Sequence, residues 1–304
     1  MNLFAPPERI QPEEFARLPE KLRKKTPSEW VDSNRGGIAP DSFFEGPSLD
    51  RAGNLYVTDI ANGRILRITP SGAWSAIAEY DGWPNGLVIR QDGKMVIACY
   101  KRGLLNLDPA SGTVTPLRET HNGQGFKGLN DLTYATNGDL YFTDQGQTGW
   151  QDPTGRVYRL TAAGRVECII DKVPSPNGLV LNLHEDQVYL AVTRANAVWR
   201  LPMMKDGTLA KVGTWIQLSG GTGGPDGLAL DAEGGIVVCQ LGIGVWRFDR
   251  LGRPTHLIEG EGLALTNAAF GGPDDKTLYI TDSTNGRILR ATLPVAGRKL
   301  VSHM

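Results

Sequence analysis

Leu55-Tyr56-Val57-Thr58-Asp59, running on to Asn62-Gly63-Arg64-Ile65-Leu66-Arg67, returns near the far end of the chain as Leu278-Tyr279-Ile280-Thr281-Asp282 and Asn285-Gly286-Arg287-Ile288-Leu289-Arg290. Over the stretch that starts at Leu55 and ends at Thr69, 11 of 15 residues are identical to the later copy. Looser copies of its second half lie between, as Gly155-Arg156-Val157-Tyr158-Arg159-Leu160, Asn196-Ala197-Val198-Trp199-Arg200-Leu201 and Ile243-Gly244-Val245-Trp246-Arg247-Phe248. A second feature keeps register with the first. Glu45, Asn85, Asn130, Asn177, Asp226 and Asn267 each begin a hydrophobic strand pattern, as in Ser175-Pro176-Asn177-Gly178-Leu179, at steps of 40, 45, 47, 49 and 41 residues. Steps of that size are those of propeller blades.

Each unit reads as short period-two strands between Gly, Asn, Asp and Pro turns, with no helical segment inside the repeats. In the first unit the strands fall at about 47–50, 54–59, 64–69 and 74–78. The expected fold is all-β, a six-bladed β-propeller of four-stranded antiparallel blades. The last copy supplies three strands, at about 266–270, 277–281 and 287–293. Its missing outer strand is expected from residues 28–43, so that an N-terminal extension (1–40) closes the ring of a propeller domain (41–304). Residues 12–25 read as a short helix or a strap over that ring.

Composition suits one closed domain: 304 residues, 38 of them glycines for the turns, and 40 % hydrophobic residues to fill the layers between blades. A net charge of −1 gives no case for nucleic acid or an anionic membrane surface. No apolar run approaches a membrane span. The charged, Pro-rich N-terminus lacks the apolar stretch of a signal peptide, which makes the cytoplasm the expected compartment. Cys99, Cys168 and Cys239 have no paired spacing and are expected as buried, reduced thiols. Oligomeric state leaves no trace in the sequence.

Strand alternation assigns the faces. If the first strand of each blade runs away from one face of the ring, the second returns to it. The turns after Asp59, Cys99, Asp144, Val192, Gln240 and Asp282 therefore share a face with the recurring oxygen side chains. Substrate walls are expected from these turns: His121, Phe126 and Lys127 from segment 119–129, and Gln147, Trp150 and Gln151 from segment 145–154. Trp83, Tyr100, Arg194 and Leu241 complete the candidate wall. Oxygen side chains gathered around one axis make a site for a hard cation. None of the four His residues stands at a ring position, which argues against a zinc-type ligand set.

Glu45-Gly46-Pro47, then Asn130-Asp131-Leu132 followed by Gly138-Asp139-Leu140-Tyr141-Phe142-Thr143-Asp144, then Pro176-Asn177-Gly178-Leu179 and Pro225-Asp226-Gly227 occur in that order. These motifs, spread over about 43–293, resemble the gluconolactonase/regucalcin (senescence marker protein) family. Diisopropyl fluorophosphatase and the drug-responsive lactonases are its relatives. The resemblance implies a divalent-metal-dependent hydrolase that opens a lactone. The metal on the axis is usually calcium, with Mg2+, Mn2+ or Zn2+ as alternatives, and its ligands would be Glu45, Asn130, Asn177 and Asp226. Two carboxylates and two amide oxygens form a hard shell of charge −2, with positions left for water and substrate. The resemblance also makes Asp226 the catalytic residue, as a base toward water or as the nucleophile proposed for phosphotriester-cleaving relatives. Asn85 and Asn267 are expected only to cap turns.

Two details depart from the family pattern or extend it. Sugar-lactone hydrolases of the family commonly carry an Arg-Leu-Asn-Ser-Pro-Asn-Asp-like segment, whereas this chain has Gly125-Phe126-Lys127-Gly128-Leu129-Asn130-Asp131. With Trp83 and Trp150 nearby, a less polar or aromatic lactone, or another ester, fits at least as well as gluconolactone. The Thr-Asp pairs at Thr58-Asp59, Thr143-Asp144 and Thr281-Asp282 are expected to brace neighbouring blades through the Asp. The alternatives to a lactonase are a calcium-stabilised binding module and a phosphotriesterase-like hydrolase. A small-molecule partner is expected in each enzymatic case.

Overall fold

Turns rich in Gly, Asn and Asp cut the chain into short strands that pair with their sequence neighbours, giving six antiparallel sheets arranged as a β-propeller. The computed structural model describes residues 5–303; residues 1–4 of the expected extension and residue 304 lie outside the described residues. The first blade consists of Phe44–Leu49, Leu55–Asp59, Arg64–Ile68 and Trp74–Glu79. The inner strands of the later blades are Pro84–Ile89, Leu129–Tyr134, Pro176–Leu181, Gly224–Leu230 and Leu265–Gly271. Each touches the next, and the last touches Phe44–Leu49, so the ring is closed.

The core is divided among the gaps between blades. Between the fifth and sixth blades, for example, Val237, Cys239 and Ile258 pack against Leu265, Phe270 and Ile280. Between the second and third, Val96, Ala98 and Leu104 meet Leu132, Phe142 and Tyr158. Each blade thus buries both faces, which is why inner and middle strands read as almost continuous apolar runs.

The sixth blade takes its outer strand from the other end of the chain. Strand β1 (Glu8–Ile10) lies parallel to Pro254–Ile258 of the fifth blade. Strand β2 (Glu13–Arg17) then pairs antiparallel with Arg287–Thr292 and becomes the fourth strand of the sixth blade. Ring closure from the N-terminal segment was expected, but from residues 28–43. Those residues instead hold helix α1 (Glu29–Arg35). The reason is local: Ser28 caps the helix, its Oγ accepting from Val31 N at 3.3 Å, and Gly36 ends it with φ +59. In β2, by contrast, Ala16 turns inward while Glu13, Glu14 and Arg17 face out. Leu18, just beyond, is fully buried and donates its N–H to Gly286 O at 3.0 Å.

Two further expectations change. Cys168 is exposed on the outer strand Val166–Val173, while Cys99 and Cys239 are buried; all three are free thiols. The aspartates of the Thr-Asp pairs pin their own blade rather than the next one: Asp59 accepts from Phe43 N at 2.8 Å and pairs with Arg64 at 2.9 Å. Of the threonines in these pairs, Thr58 reaches the next blade, its Oγ1 donating to Asn85 O at 2.6 Å; Thr193, outside the pairs, does the same, its Oγ1 donating to Pro225 O at 2.8 Å.

At the face opposite the ring residues, the C-terminal segment crosses the axis. Arg298 N donates to Leu230 O at 2.9 Å, and its guanidinium pairs with Glu185 of the fourth blade. Ser302 O accepts from Arg51 of the first blade at 2.8 Å. Above this segment lies a cavity of about 150 Å³, walled by Leu49, Leu179, Leu230 and Phe270, with Asp131 and Asn267 at its upper end. Among the described residues no helix is long and apolar enough to cross a membrane.

Because Leu18 seals the closing blade, Leu18→Ala is expected to cost about 3 kcal/mol, as for an interior leucine. Urea unfolding checks this; a midpoint equal to that of the parent chain would make the N-terminal segment peripheral.

Candidate functional site

Every inner strand carries a register shift where its ring residue stands. In the first blade Glu45 faces Thr58, and the next aligned pair is Ser48 with Tyr56, three residues on against two. The same slip follows Pro84, Leu129, Pro176, Pro225 and Leu265. A bulge of this kind bends the strand and re-aims a side chain. Here it turns Glu45, Asn85, Asn130, Asn177, Asp226 and Asn267 out of the sheet planes, and all six are buried.

The residue after each ring position explains how the strands come so close. It is glycine in four blades, Gly46, Gly86, Gly178 and Gly227. A Cβ on Gly46, whose φ is +51, would stand 2.5 Å from Asn85 O, and one on Gly227 would stand 2.2 Å from the Asn267 side chain. In the sixth blade the position is Ala268, and in the third it is Asp131. A third carboxylate thus faces the axis. Sequence reasoning passed over it, although the signal was present: an acid where the repeat otherwise demands almost no side chain.

The three acids crowd one another. Glu45 is pushed well above the ordinary carboxylate range, first by burial and then by the negative charges of Asp226 and Asp131. Burial raises Asp131 to about 7, against the hydrogen bonds it receives from Leu132 N and Asn267. Asp226 also rises to about 7 by burial, with Asn177 beside it pulling the other way, Asp131 adding to the rise and Arg194 opposing it. Asn267 Nδ2 donates to Glu45 Oε2 at 2.9 Å while its Oδ1 accepts from Ala268 N at 2.8 Å. Asn130 Nδ2 donates to Gln145 Oε1 at 2.8 Å.

Several buried carboxylates with one arginine near them form a costly arrangement without a cation. The donors are mixed, and among the described residues no three His, Cys, Asp or Glu side chains form a ready-made metal cluster. Glu45, Asn130, Asn177 and Asp226 nevertheless fit a hard divalent cation by their all-oxygen chemistry.

Around the ring, α1 seats Trp30 and Val31 against Ile60 and Ala61, with Phe43, Trp83 and Tyr100 packed alongside. The Trp83 and Tyr100 rings lie 6.0 Å apart. Gly128 is required beneath Tyr100, since a Cβ there would come within 2.6 Å of the phenol ring. Arg194, on the turn Thr193–Ala195, is exposed and makes no hydrogen bond or ion pair among the described residues. Leu241 is half-buried at the end of Ile236–Leu241, and Trp150 is 67 % exposed. The remaining wall candidates are engaged elsewhere. Phe126 packs edge-on against Phe142 and Tyr158, and His121 against Tyr158. Lys127 is held by Asp152 at 3.5 Å and by Thr154.

Residues 43–284 match the family described as SMP-30/Gluconolactonase/LRE-like region. A gluconolactonase of Zymomonas mobilis is 29% identical over 88% of this chain and 82% of its own length. Lactonase drp35 of Staphylococcus aureus (strain MW2) is 27% identical over 86% of this chain and 83% of its own length. Among solved structures, a calcium-binding protein, regucalcin, from Agrobacterium tumefaciens superposes with a TM-score of 0.79 at 23% identity, covering 99% of this chain and 100% of that one. A gluconolactonase from Xanthomonas campestris gives 0.74 at 22%, covering 95% and 99%. At those identities the superpositions speak to the fold.

A raised carboxylate pKa means that the folded chain holds its proton more tightly than the unfolded chain. The stability this contributes is complete below about pH 4 and is lost as pH rises through about 7. Cation-free protein is therefore expected to melt at lower temperature at pH 8 than at pH 5.5. Asp226→Asn is expected to raise the pH 8 midpoint by several degrees, because it removes a buried charge. Calorimetric scans in chelator check both; a melting temperature that does not change with pH would refute the crowding.

Proposed function

The chain belongs to the SMP-30/gluconolactonase/LRE-like family, and on that premise we propose that it hydrolyses lactones at the axial ring. The observation that carries this reading is the shared bulge register, which brings Glu45, Asn130, Asn177 and Asp226 to one axis below an open, partly aromatic face. The names of the curated relatives, lactonase and gluconolactonase, support the reaction class.

In this reading Glu45, Asn130, Asn177 and Asp226 hold a divalent cation. Calcium suits the all-oxygen set of charge −2 best, with Mg2+ or Mn2+ as alternatives. When bound, such a cation supplies Lewis-acid polarisation of an ester carbonyl. The protein supplies the rest. Asp226 orients the attacking water and takes its proton, with Asn177 and Arg194 beside it favouring the charged carboxylate before attack. Glu45 is kept in place by the Asn267 amide. Trp83, Tyr100 and α1 form an apolar wall that holds the body of the substrate and excludes bulk water from one side. Trp150, Arg194 and Leu241 complete the face by which it arrives. We leave His121 and Phe126 out of the wall, since both are spent on packing against Tyr158. Lys127 acts indirectly, through its hold on Asp152 and Thr154. An apolar wall with few polar side chains beside it suits a lactone with little hydroxylation.

The test is proton release from a panel of lactones, graded from polyhydroxylated to alkyl and aryl. Hydrolysis is expected to stop with chelator and to return with calcium. Asp226→Asn is expected to lower kcat at least about 100-fold, the scale of a lost general base. Full activity in that variant with metal retained would remove Asp226 from the chemistry, and turnover in chelator would remove the metal.

A further inference from the structure

Asn130 and Asn267 stand at equivalent positions, yet their carboxamides are used differently. Asn267 spends both ends inside the protein, on Ala268 N and on Glu45. Asn130 spends only its nitrogen, on Gln145 Oε1 at 2.8 Å, and its Oδ1 takes no hydrogen bond among the described residues. Gln145 is fixed at three points. Its Nε2 donates to Ser175 Oγ at 3.0 Å, its backbone N–H donates to Gly128 O at 3.0 Å, and its carbonyl accepts from Thr148 Oγ1 at 2.5 Å. Thr148 Oγ1 in turn accepts from Ser175 N at 3.2 Å, which closes a small circuit between the third and fourth blades.

Two residues further on, Gln147 reaches outward from the same loop. Its Nε2 donates to Tyr100 Oη at 2.8 Å and to Asn34 Oδ1 of α1 at 3.1 Å. Asn34 is anchored within the helix by its own amide, which donates to Trp30 O at 2.9 Å. One loop therefore connects a ring carboxamide at one end to the N-terminal helix at the other.

The two ends of a carboxamide have opposite polarity. Turned oxygen-first, Asn130 attracts a cation; turned through half a circle, it presents two N–H groups and repels one. The partner that takes its nitrogen decides which. We propose that Gln145 is a positioning residue for the ring: it holds the Asn130 oxygen free toward the axis, and Gln147 steadies it by tying the loop to Tyr100 and α1. This rests on the reading that the ring holds a divalent cation. Residues that orient metal ligands typically change affinity about 10–100-fold when lost.

The experiment is calorimetric titration of the full chain with calcium chloride, paired with thermal unfolding with and without calcium. Gln145→Met keeps the length and loses both hydrogen bonds; it is expected to weaken calcium binding about 10-fold or more. It is also expected to shrink the calcium-induced rise in melting temperature by more than it moves the calcium-free midpoint, which a merely structural role would not do. Gln145→Glu keeps an acceptor for Asn130 and is expected to bind at least as well as the parent chain. Ser175→Ala keeps Gln145 and its backbone anchors but removes the hydrogen bond that holds its amide, with an intermediate loss expected, and serves should the Met variant fold poorly. Gln147→Met is expected to weaken binding a few-fold. Parent-like calcium affinity in both Gln145→Met and Ser175→Ala would overturn the proposal while leaving the cation reading intact. A parent chain that binds neither calcium, magnesium nor manganese would overturn both.

Discussion

The pairing of β2 with Arg287–Thr292 is the interaction on which the rest of the molecule depends. Each blade is buried on both faces only because it has a neighbour on both sides, and in an open arc the first and sixth blades would each lose one. The ion pairs along the seam, Arg290 with Glu13 at 3.0 Å and Arg287 with Glu14 at 3.2 Å, have exposed acids and add little. The closing free energy comes from the strand ladder and from Ala16 and Leu18, which enter the core between the sixth and first blades. β2 meets its partner across nearly the whole length of the chain, so this pairing carries a high loop-closure entropy.

A closed ring then sets the electrostatics. Six inner strands converge on a narrow axis, and the bulges turn one polar side chain from each toward it. A hydrophobic axis would be the more stable choice. Glu45, Asp131 and Asp226 instead place three acids there, at a cost visible in their upward pKa displacement. Local rules broken in one place while the surrounding blades obey them are what a functional site looks like. The apolar layers between blades supply the stability that tolerates it.

Much of this was legible in the residues. The repeat spacing placed all six blades, the outer strand of the sixth apart, and every ring position, because turn chemistry and period-two alternation are local signals. The closing strand was not legible, since Glu13–Arg17 pairs with residues 270 to 277 positions away and nothing in its own pattern names that partner. Helix α1 was missed because seven residues carry little periodicity, although Ser28 and Gly36 mark its ends. His121 and Phe126 appeared as wall residues because they lie in the right loop; the hairpin of Thr120–His121 with Gln124–Gly125 folds them back onto Tyr158 instead. Gln145 follows a Thr-Asp pair and looked like an ordinary turn residue. Its importance lies in a contact with Asn130, fifteen residues earlier in the chain.

The C-terminal segment that crosses the lower face gives the axis a direction. Arg298 and Ser302 bind it to the fourth, fifth and first blades, and the cavity above it runs up between apolar walls to Asp131 and Asn267. The two ends of the axis therefore differ: a strap of chain spans one, while the exposed side chains of Trp150 and Arg194 border the other, so the propeller is not alike from top to bottom.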